Sequence, residues 1–277
     1  MEVIDLHIHS NLSDGNNSPE EIVKLSIENG CKKISITDHE IVSDYTALEE
    51  KYGIIITPGI EFNTAVRNMH ILGYGMKDIT LVNNEMRRLR LMNECVCIEV
   101  IQMMKKDGYD ISVEKVIEYL EQTRIDCEII DKRKIVKYLI YKKYAISVIN
   151  AYDTLIGADQ KYYVPNKKLM PNEVIDLVIQ AGGITVLAHP NTLNLSDRDL
   201  LYKIEELRKQ GLSGIEIING KMKLNNSSDL QDIARELDLI KTTGSDFHDP
   251  NVDSLGINTE DGIYDSFNNQ IKLTKSI

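Results

Sequence analysis

Val3-Ile4-Asp5-Leu6-His7-Ile8-His9 alternates apolar and polar side chains from Ile4 onward. An extended strand sends successive side chains to opposite faces, so Asp5, His7 and His9 share one face while Ile4, Leu6 and Ile8 line the other. Two imidazoles and a carboxylate on one face are nitrogen and oxygen donors of the kind that bind borderline divalent metals. The other four of the six histidines sit in equally short motifs: Thr37-Asp38-His39-Glu40, His70-Ile71-Leu72-Gly73-Tyr74, Ala188-His189-Pro190 and Asp246-Phe247-His248. His39, Glu61 and His189 each end an apolar run, and Asp246 and His248 share a face if their strand extends that far. Donors at several strand ends converge if those strands form a barrel, because functional residues gather where strand C-termini meet.

The rest of the chain is patterned for such a barrel. Short β-branched runs alternate with helical stretches, the signature of β/α repeats around parallel strands. Seven strands are expected, at Val3–His9, Lys33–Thr37, Ile54–Thr57, His70–Tyr74, Ile184–Ala188, Gly214–Ile218 and Lys241–Gly244. Ser18-Pro19-Glu20-Glu21 supplies an N-cap, a proline in the first turn and a capping-box acid for a helix reaching about Asn29. The middle of the chain is helical instead, with helices expected over Asn83–Lys106, Val113–Glu121 and Asp131–Tyr144. The expected organisation is a barrel's first part over residues 1–76, a helical insertion acting as a lid over 77–169, and the barrel's second part over 170–277.

Composition narrows the function. A formal net charge of -11 argues against a general nucleic-acid coat, and no binding to duplex nucleic acid is expected. No apolar run is long enough to span a bilayer, and the start lacks the basic and apolar regions of a signal peptide, so no membrane partner is expected. Cys31, Cys95, Cys97 and Cys127 have the spacing of neither a zinc knuckle nor a disulfide framework. Cys95 and Cys97 are read as free thiols, with a metal or redox pair as the alternative, and the expected location is the cytoplasm. Ser10, Ser13 and Ser245 lack nucleophile-elbow contexts, so no covalent serine chemistry is expected.

Taken together and in order, Asp5–His9, Asp14-Gly15, Thr37-Asp38-His39, Gly59-Ile60-Glu61, His70–Tyr74, Ala188-His189-Pro190, Gly214-Ile215-Glu216 and Gly244-Ser245-Asp246-Phe247-His248 resemble the PHP (polymerase and histidinol phosphatase) metal-dependent phosphoesterases. The resemblance implies an α/β fold, a distorted (β/α)7 TIM-like barrel, with three divalent ions of Mn, Fe or Zn. It implies a first ion held by His7, His9, Glu61 and Asp246, a second by Glu61, His70 and His189, and a third by Asp14, His39 and His248. Asp5, Asp38, Glu40 and Glu216 would orient the ligand histidines, with a core hydrogen bond as the alternative for Glu216. Catalysis would centre on His7, His9, Glu61, Asp246 and His248, with clustered cations activating water and clamping phosphate oxygens.

Tyr163-Val164-Pro165, Pro171-Asn172-Glu173 and Ala181-Gly182-Gly183 look like the subgroup that removes the 3'-phosphate of nucleoside 3',5'-bisphosphates, some members of which trim short RNA from the 5' end. That resemblance implies a small phosphorylated nucleotide or short oligoribonucleotide as partner. It also implies a basic grip on the 5'-phosphate from the insertion, where Lys132 and Arg133 are the candidates and a solvated helix face is the alternative. Rival readings are a phosphatase for histidinol phosphate or another small phosphomonoester, and a catalytically silent module that binds nucleotides or a partner.

Overall fold

A computed structural model describes residues 2–125, 127–220, 227–260 and 262–274. The chain divides into two compact units, one of Met1–Asn84 with Leu169–Ile277, the other of Glu85–Lys168. The first unit contains nine strands among its described residues: β1 (Glu2–Ile8), β2 (Lys33–Ile36), β3 (Ile55–Ile56), β4 (Gly59–Asn63), β5 (His70–Tyr74), β6 (Ile184–Leu187), β7 (Gly214–Asn219), β8 (Ile240–Gly244) and β9 (Ile257–Thr259). All seven expected strands are among them. β4 and β9 are additional.

The strands form two hydrogen-bonded sheets, β3-β2-β1-β9 and β4-β5-β6-β7-β8. Two isolated parallel bridges join them, Ile8 with Phe247 and His39 with Glu61. The first links β1 to the segment after β8, and the second links the segment after β2 to β4. The circuit β1-β2-β4-β5-β6-β7-β8 therefore closes on itself as a distorted seven-stranded barrel, with β3 and β9 as outriders.

The barrel departs from an all-parallel arrangement. β1/β2, β2/β3, β6/β7 and β7/β8 are parallel, whereas β4/β5, β5/β6 and β1/β9 are antiparallel. For β4/β5 the physical reason is the chain length between the strands. Parallel neighbours need a crossover of a dozen or more residues, and the short link from Asn63 to His70 allows only a hairpin.

Alternation along β1 sorts its side chains as expected. Ile4, Leu6 and Ile8 are fully buried, and Ile8 belongs to a cluster with Ile22 and Val23 of α1 (Pro19–Glu28) and with Ile34 and Ile36 of β2. Asp5, His7 and His9 are also fully buried. The Tyr74 hydroxyl donates to the Leu6 carbonyl at 2.6 Å, linking two strands that are not neighbours in the barrel circuit. Two glycines keep this interior open. A Cβ on Gly244 would meet His7, and one on Gly59 would meet the Ser35 and Thr37 side chains. In α1, the Ser18 hydroxyl accepts from the Glu21 N–H while the Glu21 carboxylate accepts from the Ser18 N–H, so the capping box is formed. After α2 (Thr46–Tyr52) comes α3 (Ile79–Lys106), which begins four residues before the expected start because the Asp78 carboxylate accepts from the Leu81 N–H.

The second unit holds the remainder of α3 with α4 (Val113–Gln122), α5 (Lys132–Tyr141) and α6 (Val148–Ala151). Ser112, Asp131 and Ser147 cap the last three through side-chain oxygens. The unit has its own apolar core, in which Val100, Met104, Val116, Leu120, Ile135 and Leu139 are excluded from solvent. Cys95 is exposed and Cys97 is buried on α3, so these two thiols face different surroundings, and all four cysteines are free. In the first unit α7 (Pro171–Gln180) packs on β5 and β6. Further on come α8 (Asp197–Lys209), α9 (Ser227–Glu236) and α10 (Ile263–Thr274), the last two against β7 and β8. Among the described residues no helix is long and apolar enough to cross a membrane.

Candidate metal centre

Backbone pairing at one end of the barrel brings the sequence-distant donors together two by two. The Asp246 N–H donates to the His7 carbonyl at 2.9 Å, and the His9 N–H donates to the Phe247 carbonyl at 2.9 Å. The Glu61 N–H donates to the Asp38 carbonyl and the Glu40 N–H returns a bond to the Glu61 carbonyl, fixing His39 beside Glu61. The Ala188 N–H donates to the His70 carbonyl at 3.1 Å, placing His189 beside His70. His189 and Asp246 have φ of 27° and 54°. Left-handed backbone at a residue bearing a Cβ costs about 1–3 kcal/mol and persists where the surroundings over-determine it. Here the neighbouring strands do so.

The side chains form three donor groups: His7, His9, Glu61 and Asp246; Glu61, His70 and His189; and His9, Asp14, His39 and His248. In the first, His7 Nε2 lies 3.2 Å from His9 Nε2, 3.3 Å from Glu61 Oε2 and 3.6 Å from Asp246 Oδ1. His9 Nε2 lies 3.1 Å from Glu61 Oε2 and 3.3 Å from Asp246 Oδ1. Four ligands placed tetrahedrally at about 2.1 Å from a cation stand about 3.4 Å apart, so these separations suit a divalent ion. Glu61 divides its oxygens between groups, with Oε1 at 2.9 Å from both His70 Nδ1 and His189 Nε2. In the third group Asp14 lies 3.5 Å from His9 Nδ1, 3.5 Å from His248 Nε2 and 3.7 Å from His39 Nε2. His9 thus faces two groups with its two ring nitrogens, a feature absent from the sequence reading. Its Nδ1 is buried without a hydrogen-bond partner. A buried polar atom left unpaired is costly, and a donor set of imidazoles and carboxylates around it fits divalent cations.

Electrostatics agree with that fit. Burial opposes charge on His7, but Glu216 and Glu61 outweigh it and hold its pKa well above the usual imidazole range. Burial likewise opposes charge on His9, yet Asp246 and Glu61 raise it to about 9. Burial dominates at His39 and pushes it down to about 4. Despite burial, surrounding imidazoles hold Glu61, Asp14 and Asp246 below the usual carboxylate range. In the metal-free chain these carboxylates are matched by protons on imidazoles, positions that cations take over on binding.

The four carboxylates expected beside ligand histidines do different things. Glu216 Oε1 lies 3.1 Å from His7 Nδ1, and its Oε2 accepts from the His189 N–H at 2.8 Å and from Asn219 at 3.0 Å. Asp5 instead accepts from three backbone N–H groups, of His7, Ser245 and Gly256. Asp38 accepts from the Ser10 N–H and from the Ser10 and Ser13 hydroxyls at 2.6–2.7 Å, pinning the loop that carries Asp14. Glu40 accepts from the Asn63 N–H. Asp5, within β1, and Asp38, just after β2, lie beside backbone N–H groups and hydroxyls, which their short side chains reach before a ring.

Other positioning groups were not singled out from sequence. Thr192 Oγ1 is 3.1 Å from His189 Nδ1, Asn63 Nδ2 is 3.2 Å from His39 Nδ1, and Asp253 accepts from the His248 and Asp249 N–H groups. Thr192 follows His189 by three residues in a short 3-10 turn, and such local spacing is the signal that finds it. Lys132 and Arg133 lie in the second unit. The Lys132 ammonium donates to the Val164 carbonyl at 2.5 Å and sits 5.3 Å above the Tyr163 ring, while Arg133 is exposed, 3.8 Å from Asp131.

The PHP domain matches residues 5–181. The chain is 26% identical over 270 residues to the phosphoribosyl 1,2-cyclic phosphate 1,2-diphosphodiesterase of Eggerthella lenta, covering 88% of this chain and 93% of that protein. It is 24% identical over 266 residues to the 5'-3' exoribonuclease Rnm of Escherichia coli (strain K12), covering 90% and 86%. In structure it is similar to an amidohydrolase from Chromobacterium violaceum, with a TM-score of 0.75 at 19% identity over 98% of this chain and 96% of that one. With three donor groups at one end of a distorted barrel, the chain belongs to the PHP domain family, as a metal-dependent phosphoesterase.

Proposed function

We propose that this phosphoesterase acts on nucleotides, with the 3'-phosphate of nucleoside 3',5'-bisphosphates as the leading target and short RNA attacked from the 5' end as a related one. The observation carrying the hydrolytic chemistry is Glu61, whose two oxygens serve two adjacent donor groups and so fit a bridged pair of cations. His7, His9, Glu61 and Asp246 would hold the first ion, Glu61, His70 and His189 the second, and Asp14, His39 and His248 the third. Bound there, divalent ions supply Lewis-acid activation of water and neutralise phosphoryl charge. The chain's own residues set that chemistry up. Glu216 fixes the His7 ring, Asp38 and Ser13 hold the Asp14 loop, and Asp5 ties β1 to the segment carrying Asp246.

Charge distribution supports an anionic substrate. Residues 85–168 carry 16 Lys and Arg against 13 Asp and Glu, whereas the rest of the chain carries 16 against 30. The segment between the barrel halves is the basic part of an acidic protein, which suits a ligand with a second phosphate. Arg133, exposed and able to bind phosphate through two parallel N–H groups, suits that contact better chemically than Lys132, whose ammonium is already engaged. The exoribonuclease relative supports the nucleotide reading, and the cyclic-phosphate relative supports a phosphorylated-sugar diester as second reading. Free thiols on all four cysteines fit a reducing cytoplasm.

A panel of phosphoesters assayed with Mn²⁺ tests the proposal. The expected result is preferred phosphate release from adenosine 3',5'-bisphosphate. Preference for histidinol phosphate or for a phosphoribosyl cyclic phosphate overturns the substrate assignment, and metal and nucleotide binding with no phosphate release from any ester overturns the activity.

A further inference from the structure

We propose that Asp14 couples the third metal position to the first through the His9 ring. This rests on the donor groups being metal sites, and goes beyond it by linking the occupancy of two of them. His9 is fully buried and presents Nε2 to Glu61 and Asp246 of the first group. Its Nδ1 is buried, has no hydrogen-bond partner and lies 3.5 Å from Asp14 Oδ1. Asp14 Oδ2 faces His39, and Oδ1 also faces His248. The Ser13 hydroxyl, itself held by Asp38, lies 3.3 Å from Asp14 Oδ1.

Neutral imidazole carries one proton. When Nε2 ligates a cation that proton resides on Nδ1, where polarisation by the metal makes it a stronger donor. The acceptor in front of it is Asp14 Oδ1, and closing the gap to hydrogen-bond length takes roughly half an ångström. The same carboxylate then orients a ligand of the first position and binds at the third. An ion at the third position holds Asp14 where His9 needs it, so each occupancy strengthens the other, and the coupling is reciprocal.

The test measures metal per chain by mass spectrometry and Mn²⁺ affinity by calorimetric titration. His248→Phe removes a third-position ligand but keeps a ring against His9, whose centroid lies 4.2 Å from that of His248. It is expected to lose one ion and, because that ion no longer steadies Asp14, to bind the remaining ions about threefold more weakly than the parent. Asp14→Ala should lose the same ion and also weaken the remaining ions about tenfold or more, as removal of an outer partner of a metal-bound histidine does. Asp14→Asn, whose amide oxygen still accepts the bond, should fall between them, and keeps the comparison available if the alanine variant does not fold. Parent-like residual affinity in His248→Phe, or equal residual affinity in the Asp14 and His248 variants, overturns the coupling. A parent protein that binds no Mn²⁺ overturns the metal reading itself, a separate outcome.

Discussion

Replacing Glu216 by Gln should weaken metal binding while leaving the barrel folded, and the geometry sets the size of the effect. Glu216 is buried with one oxygen at His7 Nδ1 and the other accepting from the His189 N–H and the Asn219 amide. A glutamine has one oxygen for these three contacts. Kept on the two firm donors, it turns its NH₂ toward His7 and reverses that contact. His7 Nδ1 must then accept, which moves the imidazole proton to Nε2, the atom facing Glu61 and Asp246. The variant loses a charge-assisted hydrogen bond of about 1.5–3 kcal/mol and starts from the wrong tautomer for binding. Outer partners of metal-bound histidines commonly contribute about 10–100-fold to affinity, the same range in other units. Competition against a chelating dye reads the affinity, and melting of the metal-free protein reports the fold. A change under about twofold with an unaltered melting temperature would refute the orienting role.

Gly244→Ala should abolish high-affinity metal binding, because the added methyl meets His7; near-parent affinity, measured in the same competition assay, would contradict it. Because His7 and His9 are raised above the usual imidazole range, the metal-free chain holds protons there at pH 7 that binding must displace. Mn²⁺ affinity should therefore rise with pH through the His9 value of about 9, and binding enthalpies should depend on buffer ionisation heat; a buffer-independent enthalpy would count against this. Leu139→Ala should destabilise the helical unit by about 2–5 kcal/mol, checked by denaturant unfolding, with metal affinity retained. A shift below 0.5 kcal/mol in order of magnitude would count against Leu139 as a core residue.

Much of this was legible in the sequence because the informative residues obey strong local rules. Alternation from Ile4 to His9 can satisfy a buried face only as a strand, and Ser18-Pro19-Glu20-Glu21 announces a helix start by its capping chemistry. The less legible parts depend on tertiary context. β4 follows Pro58, and a five-residue strand next to a proline and a glycine reads as a strand end. Its antiparallel pairing with β5 follows from the short connection after Asn63. β9 is three residues long and gains its identity only by pairing with β1. Within the site the ligand types were readable, but ring orientation was not. That His9 faces two donor groups, and that Asp5 serves backbone N–H groups from three separate segments, follow from closure of the barrel circuit.

The central claim is that one end of this barrel gathers donors for three divalent ions around Glu61. Diffraction at the manganese edge from crystals grown with Mn²⁺ tests it most directly. Three anomalous peaks are predicted, one within each donor group and two of them in contact with Glu61. Peaks elsewhere, or none at these groups in crystals whose solution holds excess Mn²⁺, would contradict it.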